Sequence, residues 1–157
     1  MKIKDIIKST APLSLNKRVL LNIVYTQTVI SDGFNEILKS HGLSQEQFGV
    51  LVLLRELNGK CANMYMIQDR MIAKTSNTTR LIDKLLFKGL VTREICNENR
   101  RKIEISITQK GLLILEETEP KVKAFETKHG DNLTSYELEN LIFLLEKYRI
   151  SNNKYKI

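Results

Sequence analysis

Apolar and polar positions alternate along this chain with two different periods. From Ser14 to Ser40, apolar residues recur at Leu20, Ile23, Val24, Ile30, Phe34, Ile37 and Leu38. That spacing of threes and fours predicts a long amphipathic helix, with Gly33 its weak point. Ser44 and Gln47 form the two halves of a capping box, and Leu43 with Phe48 can staple the start of a second helix. Phe48, Leu51, Val52 and Leu54 carry its apolar face until Asn58-Gly59 stops it. Asn63 can cap a short helix that puts Ile67 and Met71 on one face, with Met64, Met66 and Met71 read as core filler. A further helix opens with Ser76-Asn77-Thr78-Thr79-Arg80 and closes at Lys88-Gly89, and Leu81, Ile82, Leu85 and Leu86 make its stripe. Thr108 can start a long helix through Leu112, Leu115, Val122 and Phe125, which Pro120 should kink and His129-Gly130 should end. Thr134 and Glu137 then repeat the capping-box pattern, with Leu133 and Leu138 as staple. Leu138, Leu141, Ile142, Leu145 and Tyr148 form the last stripe, and the tail from Ser151 is expected to fray.

Between the last two long helical stretches and those before them the period drops to two. Ile103, Ile105 and Ile107 alternate with Lys102, Glu104 and Ser106, the pattern of a strand with one buried face. Val91, Arg93 and Ile95 are compatible with the partner strand, and Asn97-Glu98-Asn99-Arg100-Arg101 is the polar turn between them. Helix, turn, helix and hairpin in that order make a winged helix-turn-helix. The expected fold is mainly α with a small β-hairpin, a winged helix-turn-helix flanked by terminal helices. Residues 1–157 form one domain in this reading, with the winged region at 44–111.

The helix before the hairpin has a chemically distinct face. Asn77, Thr78, Arg80, Lys84 and Lys88 lie largely off its apolar stripe. Short hydrogen-bonding side chains crowd an N-terminus whose backbone N–H groups point outward, so that end can approach base edges and phosphates. Arg80 and Lys84, four apart, share a face. An arginine pair at an exposed hairpin tip suits a narrow minor groove. Each feature also has a plainer reading. Thr75 or Ser76 can be a simple N-cap, the lysines a solvated face, and Arg100 and Arg101 a charged turn that blunts an edge strand.

These pieces resemble the MarR-type (multiple-antibiotic-resistance) winged-helix transcription regulators. Gln47-Phe48-Gly49-Val50-Leu51 is similar to the segment before the family's winged helix. Thr79-Arg80-Leu81-Ile82-Asp83-Lys84-Leu85 followed by Lys88-Gly89-Leu90-Val91 resembles its recognition helix and exit. Asn99-Arg100-Arg101 stands where the family usually has Asp-Arg-Arg, and Ile107-Thr108-Gln109-Lys110-Gly111 matches its Leu-Thr-x-x-Gly boundary. The resemblance covers most of the chain, roughly residues 15–150. Ile67-Gln68 departs from a common Leu-Ala, and Ile72 stands where the turn often has Gly, so the turn must avoid positive φ or tolerate it. Asn99 cannot make the ion pair of the usual Asp.

The resemblance implies a homodimer held by terminal helices, here residues 14–40 and 112–150. From sequence alone those helices could instead form an intramolecular cap. It also implies that a small aromatic or anionic effector can bind between the dimer helices and the winged domain. Some family members sense oxidants through a cysteine near the first helix; no cysteine precedes Cys61 here.

Composition supports a polyanionic partner. Formal net charge is +7 over 157 residues. Ten cations and five acids lie between Met64 and Gly111, so that segment carries about +5, most of the excess. Two cysteines and two histidines give no disulfide framework and no metal spacing. Cys61 and Cys96 are expected to be buried, inert thiols in a reduced cytoplasmic setting. The start of the chain mixes charge into its apolar positions, unlike a signal peptide, and no apolar run is long enough to span a membrane. No Gly-rich phosphate loop or nucleophile motif points to an enzyme, and no cofactor is implied.

The expected function is sequence-specific binding of double-stranded DNA by a transcription regulator, as a dimer on an inverted repeat. Ser76, Asn77, Thr78, Thr79 and Arg80 are the candidates for the groove end of the recognition helix. Lys74 and Lys84 are candidates for phosphate contacts, and Arg100 and Arg101 for contacts from the wing. Whether such binding represses or activates depends on where the operator lies relative to a promoter. The rival from another class is a helical adaptor that binds protein partners through an exposed winged domain.

Overall fold

A computed structural model describes residues 2–72, 77–95 and 103–152, with residues 151 and 152 described by backbone alone. Its elements run α1 (Ile3–Ile6), α2 (Leu15–Lys39), α3 (Gln45–Glu56), α4 (Met64–Arg70), α5 (Thr78–Phe87), β1 (Val91–Ile95), β2 (Ile103–Ile107), α6 (Gln109–Gly130) and α7 (Ser135–Asn152). The chain divides into two compact units, residues 1–119 and 120–157. Sequence patterning missed α1, whose single turn buries Ile3.

Local capping sets most helix starts. The Ser14 hydroxyl accepts from the Lys17 N–H at α2. At α3 the capping box is complete: Ser44 Oγ accepts from Gln47 N–H, and Gln47 Oε1 accepts from Ser44 N–H. Asn63 Oδ1 accepts from Met66 N–H at 2.8 Å to start α4. These bonds satisfy N–H groups that have no partner within the helix. After α3, Asn58 and Gly59 adopt φ of 50° and 83°, the left-handed turn their residue types predict.

In the first unit, α3 is the hub, packed on α2, α4, α5 and β2. Val50, Leu51 and Leu54 of α3 meet this core with Ile67, Ile82, Leu85 and Ile105, all buried. Met64, Met66 and Met71 are half-buried at its margin. β1 and β2 pair antiparallel with Val91 opposite Ile107, Arg93 opposite Ile105 and Ile95 opposite Ile103. Ala62 adds a further bridge, exchanging both backbone hydrogen bonds with Ile105 at 2.9 and 2.8 Å. That bridge explains the burial pattern. Ile105 is fully buried and Val91 nearly so, whereas Ile95, towards the turn, is 64% exposed. The hairpin buries its base and not a whole face.

One further expectation changes. Cys61 is exposed, not buried, and its sulfur accepts from the Ser106 hydroxyl at 3.3 Å. It sits just before the Ala62 bridge, at the sheet edge. α6 runs through Pro120 to end at Gly130, so the proline interrupts one backbone bond without ending the helix. Cys96 lies outside the described residues, as does the tail beyond Asn152.

In the second unit, α7 starts with the expected capping box. Glu137 Oε2 accepts from both the N–H and the hydroxyl of Thr134, and Thr134 Oγ1 accepts from Glu137 N–H. Those bonds hold the Glu137 carboxyl below the usual carboxylate range. Along α7, Leu141, Ile142, Phe143 and Leu144 are 45–58% exposed.

The start of α6 locks the hairpin to the end of α5. Thr108 Oγ1 accepts from Gly111 N–H at 3.1 Å and donates to the Gly89 carbonyl at 2.8 Å. A Cβ on Gly111 would lie 2.5 Å from the Leu90 carbonyl oxygen and 2.7 Å from Ile107 Cγ1. Gly49, on α3, has open space around its missing Cβ. Gly49 and Gly111 should therefore respond oppositely to alanine. Gly111→Ala is expected to destabilise by about 1–3 kcal/mol through overpacking, and Gly49→Ala to stabilise by roughly 0.5–1 kcal/mol through backbone entropy. Urea unfolding reads both, and equal shifts of the same sign would refute the close packing at Gly111.

Candidate nucleic-acid interface

The candidate surface is the outer face of α5. Thr78, Ile82 and Leu85 are its buried positions, spaced four and three apart, and they set which side meets the core. Thr78 is thus a correction to the expected groove residues. It is only 5% exposed and extends the apolar stripe by one turn, so its side chain faces the core. The N-cap is Asn77, one residue later than Ser76, and its side chain makes no capping bond. Asn77, Thr79, Arg80 and Lys84 are exposed. Lys74, Ser76, Arg100 and Arg101 lie outside the described residues.

Neighbouring contacts fix the pose of α5. Arg70 at the end of α4 donates to Glu56 Oε2 on α3 at 2.9 Å. Met71 then turns the chain into extended backbone with ψ of 137°. Residues 73–76, which complete this turn, lie outside the described residues. At the other end, Gly89 takes φ of 68°, and the Lys88 carbonyl accepts from Lys110 Nζ at 2.8 Å. Lys88 Nζ in turn donates to the Gly42 carbonyl, which ties the end of α5 to the loop before α3. Lys88 is therefore half-buried and structural, unlike Arg80 and Lys84.

Two features of this face were not read from the sequence. Asp83 pairs with Arg93 of β1 at 3.4 Å, so the acid on the basic face is partly neutralised by the wing. Phe87 is 94% exposed at the end of the same face. Both follow from helical spacing: Asp83 and Phe87 stand three and seven residues after Arg80.

A cavity of about 1080 Å³ opens beside the same helix. Asp32, Glu36 and Lys39 of α2 line one side, and Asn77, Arg80 and Lys84 of α5 the other. Among the described residues, no group of His, Cys, Asp and Glu could hold a metal ion, and no helix is long and apolar enough to cross a membrane.

Comparison with known proteins decides the family. The MarR family model matches residues 43–103, the region that contains α3 to β1. An uncharacterized HTH-type transcriptional regulator of Bacillus subtilis, YpoP, is 31% identical over 89% of this chain and 96% of its own. The chain belongs to the MarR family. A MarR transcription factor from Planctomyces limnophilus is 32% identical, with a TM-score of 0.66 over 87% of this chain and 98% of that one. A cysteine-to-serine variant of MarR from E. coli, solved with operator DNA, shares the fold at 24% identity, with a TM-score of 0.73 over 87% and 99% of the two chains. The protein is a DNA-binding transcription regulator of the MarR type, and the winged helix-turn-helix expected from its sequence is its fold.

The Asp83–Arg93 pair gives this MarR-family surface a testable electrostatic feature. Asp83→Asn removes a negative charge from the α5 face and releases Arg93. Binding to DNA of arbitrary sequence should tighten, and the log–log salt dependence should steepen by roughly one unit per subunit. Fluorescence anisotropy across a salt series measures this. Weaker binding with an unchanged slope would place the pair away from the phosphates.

Proposed function

We propose that this regulator acts as a homodimer that sets two α5 helices into successive major grooves of an inverted repeat. The observation that carries this reading is the division of α5 into two faces. Thr78, Ile82 and Leu85 anchor one face in the core, and Asn77, Thr79, Arg80 and Lys84 are exposed away from it. Arg80 is the base-reading candidate, because a guanidinium can bond two acceptors of guanine at once. Asn77 and Thr79 add short polar contacts at the helix start, where the backbone N–H of Thr78 still counts although its side chain does not. Ser76 is a further candidate for the groove on the sequence alone. Lys74 and Lys84 act on phosphates, and Arg100 and Arg101 act from the wing.

Apolar exposure supports the dimer. On α2, Leu15, Leu20 and Val24 are 52–70% exposed; α7 exposes Leu141, Ile142, Phe143 and Leu144. Exposed apolar side chains on each of these helices suit an interaction surface. Residues 14–40 and 112–150 form the dimerisation region in this reading, and 44–111 the DNA-binding region. A regulator of this type works in the cytoplasm and carries out no catalysis. The cavity beside α5 is the candidate place for a small anionic or aromatic effector: Arg80 and Lys84 line it with apolar Leu43 and Leu81, and Asp32, Glu36 and Glu46 line it too.

Two experiments test the reading. Sedimentation at micromolar concentration should give a dimer, and Leu141→Asp with Leu145→Asp should give monomer or unfolded protein, because buried unpaired charges are costly. A stable wild-type monomer would end the dimer proposal. Genomic fragments selected with purified protein at stated salt then supply the operator. On it, Arg80→Ala should lose roughly 1–3 kcal/mol of specific binding. Arg101→Ala should weaken binding across many sequences and lower the salt slope by about one for each phosphate that the arginine neutralises. Unchanged affinity in the folded, dimeric double variant would favour a protein-binding adaptor instead.

A further inference from the structure

The buried stripe of α5 defines a line opposite to it along the helix, and Arg80 and Phe87 both lie on that line. Seven residues make nearly two full turns, so the two side chains project in almost the same direction, about 10.5 Å apart along the axis. Lys84 lies between them, one turn before Phe87. Phe87 is 94% exposed, an apolar side chain on a face rich in ions. Arg80, Asp83, Lys84 and Lys88 surround it in a shallow surface depression.

A single exposed apolar residue needs no explanation on most surfaces. This one has a consequence because of its position. Any approach that brings Arg80 to the base edges along this face also removes Phe87 from water. An aromatic ring cannot bond a phosphate, and it forfeits favourable burial unless something apolar meets it. In the major groove the apolar group on offer is the thymine methyl. The acid nearby does not oppose this docking, since Asp83 is paired with Arg93.

We propose that Phe87 is a specificity-determining residue that reads thymine methyl groups in the major groove. The proposal rests on the reading that α5 enters that groove. The axial separation from Arg80 sets the register. At about 3.4 Å per base step, the thymine lies roughly three base pairs from the pair that Arg80 contacts in each half-site.

The experiment is a cycle of protein and DNA changes on the selected operator. Each thymine of one half-site is replaced in turn by uracil, which removes only the methyl group. Wild-type protein should bind one or two of these operators roughly fourfold more weakly, the loss expected for one buried methyl group. Phe87→Ala should weaken binding to the thymine operator to a similar degree and show no further loss on those uracil operators. Phe87→Leu, still apolar, should retain part of the discrimination. Circular dichroism and sedimentation of both variants should match wild type, as expected for a side chain this exposed. Uracil effects of equal size in wild type and Phe87→Ala would overturn the proposal, as would full operator affinity in Phe87→Ala. A wild-type protein that selects no sequence at all would instead remove the groove reading on which the proposal stands.

Discussion

The structure of the winged region depends on the exit of α5. At Lys88-Gly89-Leu90 three elements are tied into one node. Gly89 turns the chain in a left-handed conformation that costs most residues roughly 1–2 kcal/mol. The Gly89 carbonyl accepts from Thr108, the Lys88 carbonyl from Lys110, and the Leu90 carbonyl from Thr108 N–H at 3.1 Å. The same Leu90 oxygen closes the space above Gly111. The recognition helix, the base of the wing and the first turn of α6 therefore keep a common geometry. This gives the Ile107-Thr108-Gln109-Lys110-Gly111 boundary a physical meaning. Threonine bonds two elements at once, and glycine lets a carbonyl approach where a methyl would collide.

Rigidity at that end matters for what α5 presents at the other. Leu85 and Leu90 are buried beside the node, and Ile82 and Thr78 continue the anchored line towards the helix start. The orientation of Arg80 is then set by the backbone, with only its own rotamers left to vary. For the base-reading role proposed for Arg80, the anchored helix would supply the direction of approach, and the side chain's own rotamers would be ordered only on binding.

What the sequence disclosed follows the range of each interaction. The caps at Ser44, Asn63 and Thr134 were legible because a side chain and the N–H three residues on are neighbours in any helix. The strand pair was legible from the alternating isoleucines. Long-range contacts were not. Ala62 gives no local sign that it will bridge to Ile105, and Cys61 becomes exposed only because that bridge lies at the sheet edge. Thr78 misled because its polarity suggested an outward residue. Its spacing to Ile82 and Leu85 was the better guide, and the same wheel would have marked Phe87 as lying off the stripe. Lys74, Ser76, Arg100 and Arg101 stand as candidates on sequence alone.

Arg80 and Lys84 occupy two settings at once, the outer face of α5 and the wall of the cavity beside α2. Long cationic side chains can turn either way at small cost, so their position is a population and not a fixed point. Asp32 and Glu36 offer attraction on the cavity side, and DNA phosphates would offer it on the other. The two demands are linked. With α5 in the groove as proposed, an occupant of the cavity that engages either cation would draw it away from DNA, and DNA that engages it would lower affinity for that occupant by the same factor. An occupant that touches only α2 and Leu43 would leave the cations free, whatever its affinity. On the proposed reading, the effect of a ligand would follow from how it divides its contacts between the walls, and not from how tightly it fills the cavity.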